Sequence, residues 1–378
     1  MLITASNICH YLIAQRVISS ESVVDGDFAV VDVSGRNRNF KVIRKIHSGY
    51  FVKQIQQWDA QTVAMLQCEA ACYWLARNDS SFASLATVMP EFHSYDLERH
   101  ILITELIPEG ENLYEHLRRV GHFSDEVAAR LGQVLGTYHR ELGNGLNDSQ
   151  HAAIFPRQVP WILSADRRNS HPFKELSPAT SELFDVIEES SQLRLALDDL
   201  RNGWCATSLM HGDMRLENCI VVRDGAHDEW NLKIVDWELA DIGDPCWDLG
   251  GIIQAFLSAS IMSLPLDNEA PANMDAPASH AGMQPAIQSF WNGYIAERQN
   301  EEDGLLERCL RYGAARMIQS AYEYVQFSPQ VSSQALHLLQ VSAEILKDPS
   351  RAESEVRRQR SEVSSQRSEV RDQRSTDL

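Results

Sequence analysis

Between His211 and Asp248 the sequence gathers residue types that can bind a metal ion and accept a proton. The stretch begins HGDMRLEN, which contains Asp213 and Asn218, and continues through Asp236 to Asp248. Carboxylates this close in sequence repel one another, so they need either solvation or a cation. Asp213 and Asn218 are five residues apart, about 140° around a helix, and can converge only from a loop.

Two short runs after Asn218 predict how this cluster closes. CIVV (219–222) and NLKIVD (231–236) resemble strands on either side of a turn, which indicates an antiparallel hairpin. The start of the first strand then lies beside the end of the second, so Asn218 is expected next to Asp236. An amide oxygen and a carboxylate form an oxygen-only site that suits Mg²⁺. Asp213 would lie beside it and accept a proton.

The order of base, amide and strand-ending acid is typical of phosphoryl transfer. HGDMRLEN and DWELADIGDPCWDLG resemble the two signature motifs of the aminoglycoside phosphotransferase and choline kinase family, a branch of the protein-kinase-like fold. The resemblance implies that Asp213 is the catalytic base and that Asn218 and Asp236 bind Mg²⁺. It also implies that Asp248 supports the loop through backbone hydrogen bonds and that His211 orients it.

The loop departs from the family pattern just before its asparagine. Many members carry Pro-Gly there, whereas this chain has Leu216 and Glu217. Arg215 lies where many protein kinases carry a basic residue facing the γ-phosphate, and we assign it a catalytic role in stabilising the transferred group. A solvated or ion-paired arginine explains the sequence equally well.

A kinase site also needs a cation for the nucleotide phosphates. Lys53 lies in the strand-like run YFVKQ (50–54), and Glu69 shares a helix face with apolar residues. A glutamate on an apolar face must pair or lose its charge, so Lys53 is its expected partner and would direct its ammonium at the α- and β-phosphates. The alternative is a partly exposed Glu69 at the edge of the apolar stripe.

Two further segments are expected to bind the nucleotide because of their place in the family. The turn SGRNRNF (34–40) would cover the phosphates through Gly35 and Asn39, although a solvated hairpin would look the same. The strand HILITELI ends where the chain passes to the second lobe. There the Thr104 carbonyl and the Leu106 amide are expected to bind adenine.

Alternating and apolar runs predict the elements that must position these groups. We expect strands at 28–34, 39–45, 50–54 and 100–107, and helices at 6–17, 62–76 and 124–142. The predicted fold class is α+β: a bilobal protein-kinase-like fold whose N-lobe is a small antiparallel β-sheet plus one helix and whose C-lobe is large and mainly helical. The predicted units are a nucleotide-binding N-lobe (1–107), a catalytic and substrate-binding C-lobe (108–347) and a tail (348–378).

Two segments lack the periodicity of packed elements. Residues 264–285 are rich in Pro, Ala and Asn and predict a long loop that can act as a lid. Residues 354–374 repeat a seven-residue unit, SEVRRQR, SEVSSQR and SEVRDQR, with one apolar position in seven. That is too little for a coiled-coil seam, so a disordered or frayed helical tail is expected.

Bulk composition restricts the partners. The net charge of −19 argues against a nucleic-acid binder, and no apolar run approaches the roughly 18 residues of a membrane span. Seven cysteines without a C-x-x-C pair, and an N-terminus without a signal-peptide pattern, predict a cytoplasmic protein. Glu238, Asp241 and Asp244 near the catalytic loop could attract an amine-bearing acceptor, although such acids are also common without that role.

The leading hypothesis is an ATP- and Mg²⁺-dependent kinase that phosphorylates a hydroxyl group of a small molecule. A second hypothesis keeps the chemistry but takes Ser or Thr of a peptide as acceptor. A third is a nucleotide-binding pseudokinase, which the presence of lysine, glutamate, base, amide and metal-binding acid disfavours. A metal-dependent phosphoesterase would need several histidine ligands at matching spacing, and the remaining histidines show no such pattern.

Overall fold

The computed structural model describes residues 1–143, 151–167, 177–224, 229–262, 284–299 and 302–357. The N-terminal part contains the strands β1 (Ala29–Asp32), β2 (Arg38–Ile43), β3 (Tyr50–Gln54), β4 (Phe92–Asp96) and β5 (Ile101–Glu105). They form one antiparallel sheet in the order β1-β2-β3-β5-β4. The four predicted strands are present, whereas β4 was not predicted, because FHSYD is polar and only half buried.

Successive side chains of a strand point to opposite sides of a sheet, so the two faces of this sheet have different surroundings. One face packs under the N-terminal segment in a separate apolar cluster that includes Ile3, Ile8, Leu12, Phe40, Val42, Val52, Ile101 and Ile103. The alternate residues Asn39, Lys53, Leu102 and Thr104 line a cavity on the other face. The alternation of side chains along β3 therefore places Lys53 in that cavity.

The N-terminal part has four helices, two of which were predicted at 6–17 and 62–76. They are α1 (Ile8–Ala14), α2 (Ser20–Val24), α3 (Ala60–Asn78) and α4 (Ala83–Val88). Helix α3 contains the predicted 62–76 segment and begins after Asp59, whose side chain accepts the backbone N–H groups of Gln61 and Thr62. Helix α1 lies within the predicted 6–17 segment, whereas α2 and α4 were not predicted because five or six residues give too little periodicity to identify a helix.

The second part is mainly helical. Its helices are α5 (Leu113–Val120), α6 (Asp125–Glu141), α7 (Pro178–Glu189), α8 (Ser191–Asn202), α9 (Cys246–Met262), α10 (Gln284–Arg298), α11 (Leu305–Val325) and α12 (Ser333–Lys347). Helices α6 and α10 approach closely, since a Cβ at Gly132 would lie 2.0 Å from the Phe290 carbonyl oxygen. The small sheet followed by a helical part confirms the predicted fold class.

Short strands frame the cluster of polar residues. They are β6 (Glu111–Asn112), β7 (Ser208–Met210), β8 (Cys219–Asp224), β9 (Glu229–Ile234) and β10 (Asp241–Gly243). Strands β8 and β9 pair with Cys219 opposite Ile234, and the Val235 N–H donates to the Asn218 carbonyl at 2.9 Å. The predicted hairpin is confirmed, and its pairing brings residue 218 beside residues 235 and 236.

Two sequence predictions fall largely outside the described residues. Of the proposed loop at 264–285 only the last two residues are described, and they belong to α10. The repeat region is described only as far as residue 357, where the chain is helical and Val356 is buried. Within the described part of the chain, none of the helices is both long and apolar enough to cross a membrane.

Candidate active site

The loop between β7 and β8 is held from behind by one buried carboxylate. Asp248, in the first turn of α9, accepts the N–H groups of His211 (2.6 Å) and Gly212 (3.0 Å) and the hydroxyl of Tyr138 (2.8 Å). Burial raises the pKa of Asp248, but His139, whose Nε2 lies 3.5 Å from the carboxylate, and the contacts of His211 outweigh it and keep that pKa below its usual value. These are the contacts expected of a loop-supporting residue.

His211 links the loop to the chain that carries Asp236. It is fully buried, its Nε2 donates to the Val235 carbonyl at 2.9 Å, and its Nδ1 accepts the Asp213 N–H at 3.3 Å. Gly212 beside it has a φ of 81°, and a Cβ there would lie 2.2 Å from the Leu239 carbonyl oxygen. The loop turns in a conformation that only glycine adopts without strain.

Asp213 carries its hydrogen bonds on one oxygen. Its Oδ1 accepts from Arg215 Nη2 at 2.8 Å and from Arg316 Nη2 at 3.2 Å, while no described residue donates to Oδ2. Burial raises the pKa of Asp213, but the charges of Arg316 and Arg215 lower it further, below its usual value. The side chain is 20% exposed, so an ionised carboxylate presents one oxygen to an approaching group.

Arg215 is ion-paired. Besides Asp213, its Nη2 lies 3.6 Å from the Glu323 carboxylate of α11. The ion-paired interpretation that the sequence left open therefore describes the structure, and a contact of Arg215 with a transferred phosphoryl group stays a prediction. Arg316 was not predicted, because 103 residues separate it from Asp213 and no local pattern marks it.

The two expected metal ligands lie at the end of the hairpin. Asn218 donates its Nδ2 hydrogen to the Asp213 carbonyl oxygen at 2.9 Å, which leaves its amide oxygen available as a ligand. Asp236 has a left-handed backbone, with φ 67° and ψ 51°, and its side chain contacts Lys53. Carboxylate oxygens of Glu69, Asp236 and Glu238 all lie within 4.8 Å of one another.

Lys53 is the centre of this acidic group. Its Nζ lies 2.7 Å from Glu69 and 3.1 Å from Glu238 and also contacts Asp236. Burial lowers the pKa of Lys53, but the charges of Glu69 and Asp236 outweigh it and raise that pKa, so the ammonium stays charged. Three carboxylates around one buried ammonium leave excess negative charge on oxygen donors, which fits a hard divalent cation such as Mg²⁺.

The acids that could have attracted an amine-bearing acceptor have internal partners instead. Glu238 belongs to the Lys53 cluster and also contacts Arg36. Asp241 is buried and accepts three backbone N–H groups, one at 2.6 Å and two at 2.7 Å. Asp244 is fully buried and pairs with Arg308 at 3.3 Å. These internal contacts give no support to an acceptor-attracting role of the three residues, which stays a prediction.

A cavity of about 250 Å³ lies between the sheet and the hairpin, and Lys53, Glu69 and Asp236 line it. Its lining comes from five places: the inner sheet face, α3, the segment before β4, the segment after β5, and the hairpin. These residues are Asn39, Lys41, Phe51, Lys53, Leu102, Thr104, Glu69, Tyr73, Pro90, Glu105, Leu106, Ile107, Gly110, Asn218, Ile220, Val235 and Asp236. Apolar side chains from the sheet and from the hairpin both contribute, so the cavity combines an apolar part with an acidic end.

The backbone groups expected to bind adenine are engaged in the sheet. The Leu106 N–H donates to the Gly49 carbonyl at 3.0 Å, and in the same register Thr104 lies opposite Phe51. In an antiparallel pair, every second residue forms backbone hydrogen bonds with the opposite strand. Thr104 lies two residues before Leu106, so its carbonyl also faces β3. The backbone N–H and carbonyl groups that face away from β3 belong to the next residues in the chain, Glu105 and Ile107.

The turn before β2 fits the expectation only in part. Asn39 lies opposite Lys53 in the β2–β3 pair and lines the cavity, and its buried Oδ1 has no hydrogen-bond partner among the described residues. Gly35 lies outside the cavity lining and has no left-handed φ, and a Cβ added there would meet nothing within 4 Å beyond its chain neighbours. Neither the backbone conformation nor the surrounding atoms therefore require glycine at residue 35.

Comparisons with known proteins agree with this architecture. The family model described as the phosphotransferase enzyme family matches residues 35–282. No curated protein matches the chain. A choline/ethanolamine kinase family protein from Mesorhizobium loti aligns with a TM-score of 0.51 at 16% identity, covering 94% of this chain and 99% of that one.

Two further solved structures share the fold. A glucosamine kinase in complex with glucosamine, ADP and inorganic phosphate aligns with a TM-score of 0.52 at 16% identity, covering 94% of this chain and 89% of that one. A macrolide 2′-phosphotransferase type I has a TM-score of 0.50 at 12% identity, with coverages of 92% and 98%. Identities this low establish the fold alone. The resemblance seen in HGDMRLEN and DWELADIGDPCWDLG is confirmed by the family match over most of the chain, and the protein belongs to the phosphotransferase enzyme family.

Proposed function

We propose that this phosphotransferase moves the γ-phosphate of ATP, with Mg²⁺, to a hydroxyl group of a small molecule. The observation that carries the proposal is the state of Asp213. Its pKa is held low by two arginines, and its Oδ2 has no described donor while Oδ1 accepts three N–H groups from these arginines. An ionised carboxylate with one open oxygen is suited to accept the proton of an attacking hydroxyl.

Asn218 and Asp236 would hold Mg²⁺ through the Asn218 amide oxygen and the Asp236 carboxylate. Bound there, the metal ion would neutralise charge on the β- and γ-phosphates. Lys53 would exchange its contact with Asp236 for phosphate oxygens while Glu69, at 2.7 Å, keeps its ammonium in place. Asp213 would orient the acceptor hydroxyl and take its proton as the new phosphate ester forms.

The adenine would lie deeper in the cavity, between the sheet and the hairpin. Two backbone groups after β5 support this placement. The Ile107 N–H has no acceptor among the described residues, and the Glu91 N–H that could have reached the Glu105 carbonyl donates to the Glu105 side chain instead, at 3.1 Å. A carbonyl and an amide two residues apart match the donor and acceptor edge of adenine.

The choice of a small acceptor is supported by the proteins that share the fold. One is a glucosamine kinase with glucosamine bound, another belongs to a choline/ethanolamine kinase family, and a third is a macrolide phosphotransferase. Amino sugars, amino alcohols and macrolides are therefore the first acceptor classes to test. Each presents a hydroxyl group that can take a phosphoryl group.

The test is an ADP-release screen with Mg·ATP and a panel of amino sugars, amino alcohols, macrolides and Ser/Thr peptides. We expect one small-molecule class to raise ADP release well above the level without acceptor, and Asp213→Asn to abolish that increase. A response to peptides alone would replace the small acceptor by a peptide. Nucleotide binding with no acceptor-dependent release in any class would support a non-catalytic nucleotide-binding protein and contradict the proposal.

A further inference from the structure

One arginine outside the recognised motifs reaches the catalytic loop from the C-terminal helices. Arg316 lies in the middle of α11 and is 4% exposed. Its Nη1 donates to the Gly212 carbonyl at 3.4 Å, and its Nη2 lies 3.2 Å from Asp213 Oδ1 and 3.3 Å from the Met214 carbonyl. A single guanidinium thus contacts three consecutive residues of the loop.

A second contact fixes the guanidinium itself. Its Cζ lies 5.2 Å from the centre of the Trp247 ring, and the Trp247 Nε1 donates to the same Gly212 carbonyl at 2.9 Å. Asp248 meanwhile accepts the loop's amides from the opposite side. An anion therefore binds the N–H groups of the loop and a cation binds its carbonyl oxygens, which is the pairing that electrostatics favours.

We propose that Arg316 is a positioning residue that fixes which oxygen of Asp213 faces the acceptor. By occupying Oδ1 and both neighbouring carbonyls, it leaves Oδ2 as the oxygen that can take the hydroxyl proton. This inference rests on the proposed role of Asp213 as the base. It goes beyond the sequence motifs, because nothing in HGDMRLEN or DWELADIGDPCWDLG marks residue 316.

Arginine suits this task better than lysine for a geometric reason. The guanidinium is planar and presents several N–H donors in fixed directions, so it can bind the carboxylate and the two carbonyls at once. A lysine ammonium would keep the positive charge but could not reproduce that fork. Charge and geometry can therefore be separated by substitution.

The charged groups around Asp213 define what removal of Arg316 should do. His211 and Arg215 face it from its own loop, Arg316 faces it from α11, and Glu323 of α11 lies behind Arg215. Loss of Arg316 would leave Arg215 as the one arginine bound to Asp213 in the described structure. Without Arg316, Asp213 Oδ1 would keep only its contacts with Arg215, and the Gly212 and Met214 carbonyls would lose their contacts with the guanidinium, so the carboxylate would be held less firmly.

The test compares crystal structures of the protein and its Arg316→Gln variant, together with amide hydrogen exchange of the whole protein. In Arg316→Gln we expect the Asp213 carboxylate to turn from its original orientation and exchange at residues 211–216 to accelerate at least about tenfold, because the contacts to the carboxylate and to both carbonyls are lost. The matched control is Arg311→Gln, since Arg311 also lies on α11 but pairs with Asp199 at 3.5 Å and should leave the carboxylate orientation and the exchange unchanged. An unchanged Asp213 orientation in folded Arg316→Gln would overturn the inference.

Arg316→Lys tests the inference if Arg316→Gln does not fold. Its ammonium should keep the contact with Asp213 Oδ1, while hydrogen exchange at residues 211–216 should accelerate at least about tenfold because the two carbonyl contacts are lost. Unchanged exchange in Arg316→Lys would contradict the positioning role. Both readouts need no acceptor, so they separate a failure of this inference from a failure of the proposed kinase activity.

Discussion

The catalytic loop and the turn that precedes β2 are built differently. The loop is tied by Asp248 and Arg316 through its amides and carbonyls. In the turn over 34–40, residues 34–36 are exposed, and Arg36, with its side chain 63% exposed, contacts Glu238. The difference teaches that buried charged side chains hold the loop that carries Asp213, whereas the tip of the turn is open to solvent.

The largest expected effect comes from the base that the loop carries. Asp213→Asn should lower acceptor-dependent turnover by about 10²- to 10⁴-fold, the range for loss of a general base. Nucleotide affinity, measured by calorimetry, should stay within about threefold of the original because Asp213 lies outside the cavity lining. Equal turnover in the variant would remove Asp213 from the chemistry.

A glycine-to-alanine substitution should destabilise the protein in the loop but not in the turn. Gly212→Ala should lower the free energy of unfolding by more than about 2 kcal/mol, because its φ of 81° and the Leu239 carbonyl 2.2 Å from the new Cβ both oppose it. Gly35→Ala should change that free energy by less than about 0.5 kcal/mol. Urea titrations of both variants measure the contrast, and similar losses would show that the turn is as constrained as the loop.

Lys53 contacts Glu69, Asp236 and Glu238, and its removal should leave the repulsion between these carboxylates without a balancing positive charge. Lys53→Met leaves Glu69 buried without its cation and should cost about 3 kcal/mol of unfolding free energy as well as nucleotide binding. The double variant Lys53→Met/Glu69→Gln should recover part of the stability but none of the binding. Thermal unfolding and calorimetry distinguish the two effects, and an additive loss in the double variant would argue against the buried pair.

The smallest effect is expected at the exposed tip of the turn. Arg36→Ala should weaken ATP binding about two- to fivefold, the scale of one exposed ion contact, and leave the unfolding transition unchanged. Lys45→Ala, which removes an exposed positive charge outside the cavity lining, serves as the control. If both variants bind ATP equally well, the turn contributes through its backbone or not at all.

Local patterns were sufficient for the parts of the site that lie within one element. The strand at 50–54 and the helix around 62–76 are present, and the pairing of Lys53 with Glu69 follows from their positions. The hairpin that brings residue 218 beside 235 could also be predicted from two runs and a turn. In each case the information lay within about twenty residues.

Features that depend on distant packing could not be predicted from the sequence. Arg316 reaches Asp213 across 103 positions, and Glu238 turns inward because Lys53 is there to neutralise it. The backbone groups of Thr104 and Leu106 that were expected to bind adenine pair with β3 instead, because β5 has neighbours on both sides and the pairing register decides which side each carbonyl faces. The pattern of apolar and polar side chains does not indicate which side each carbonyl faces.

The most direct measurement is a crystal structure of the protein with Mg²⁺ and a non-hydrolysable ATP analogue. We predict a metal ion bound by the Asn218 amide oxygen and the Asp236 carboxylate, Lys53 on the phosphates, and Asp213 Oδ2 facing the terminal phosphate. A nucleotide bound away from this cavity, or a metal ion that contacts neither Asn218 nor Asp236, would contradict the proposed mechanism.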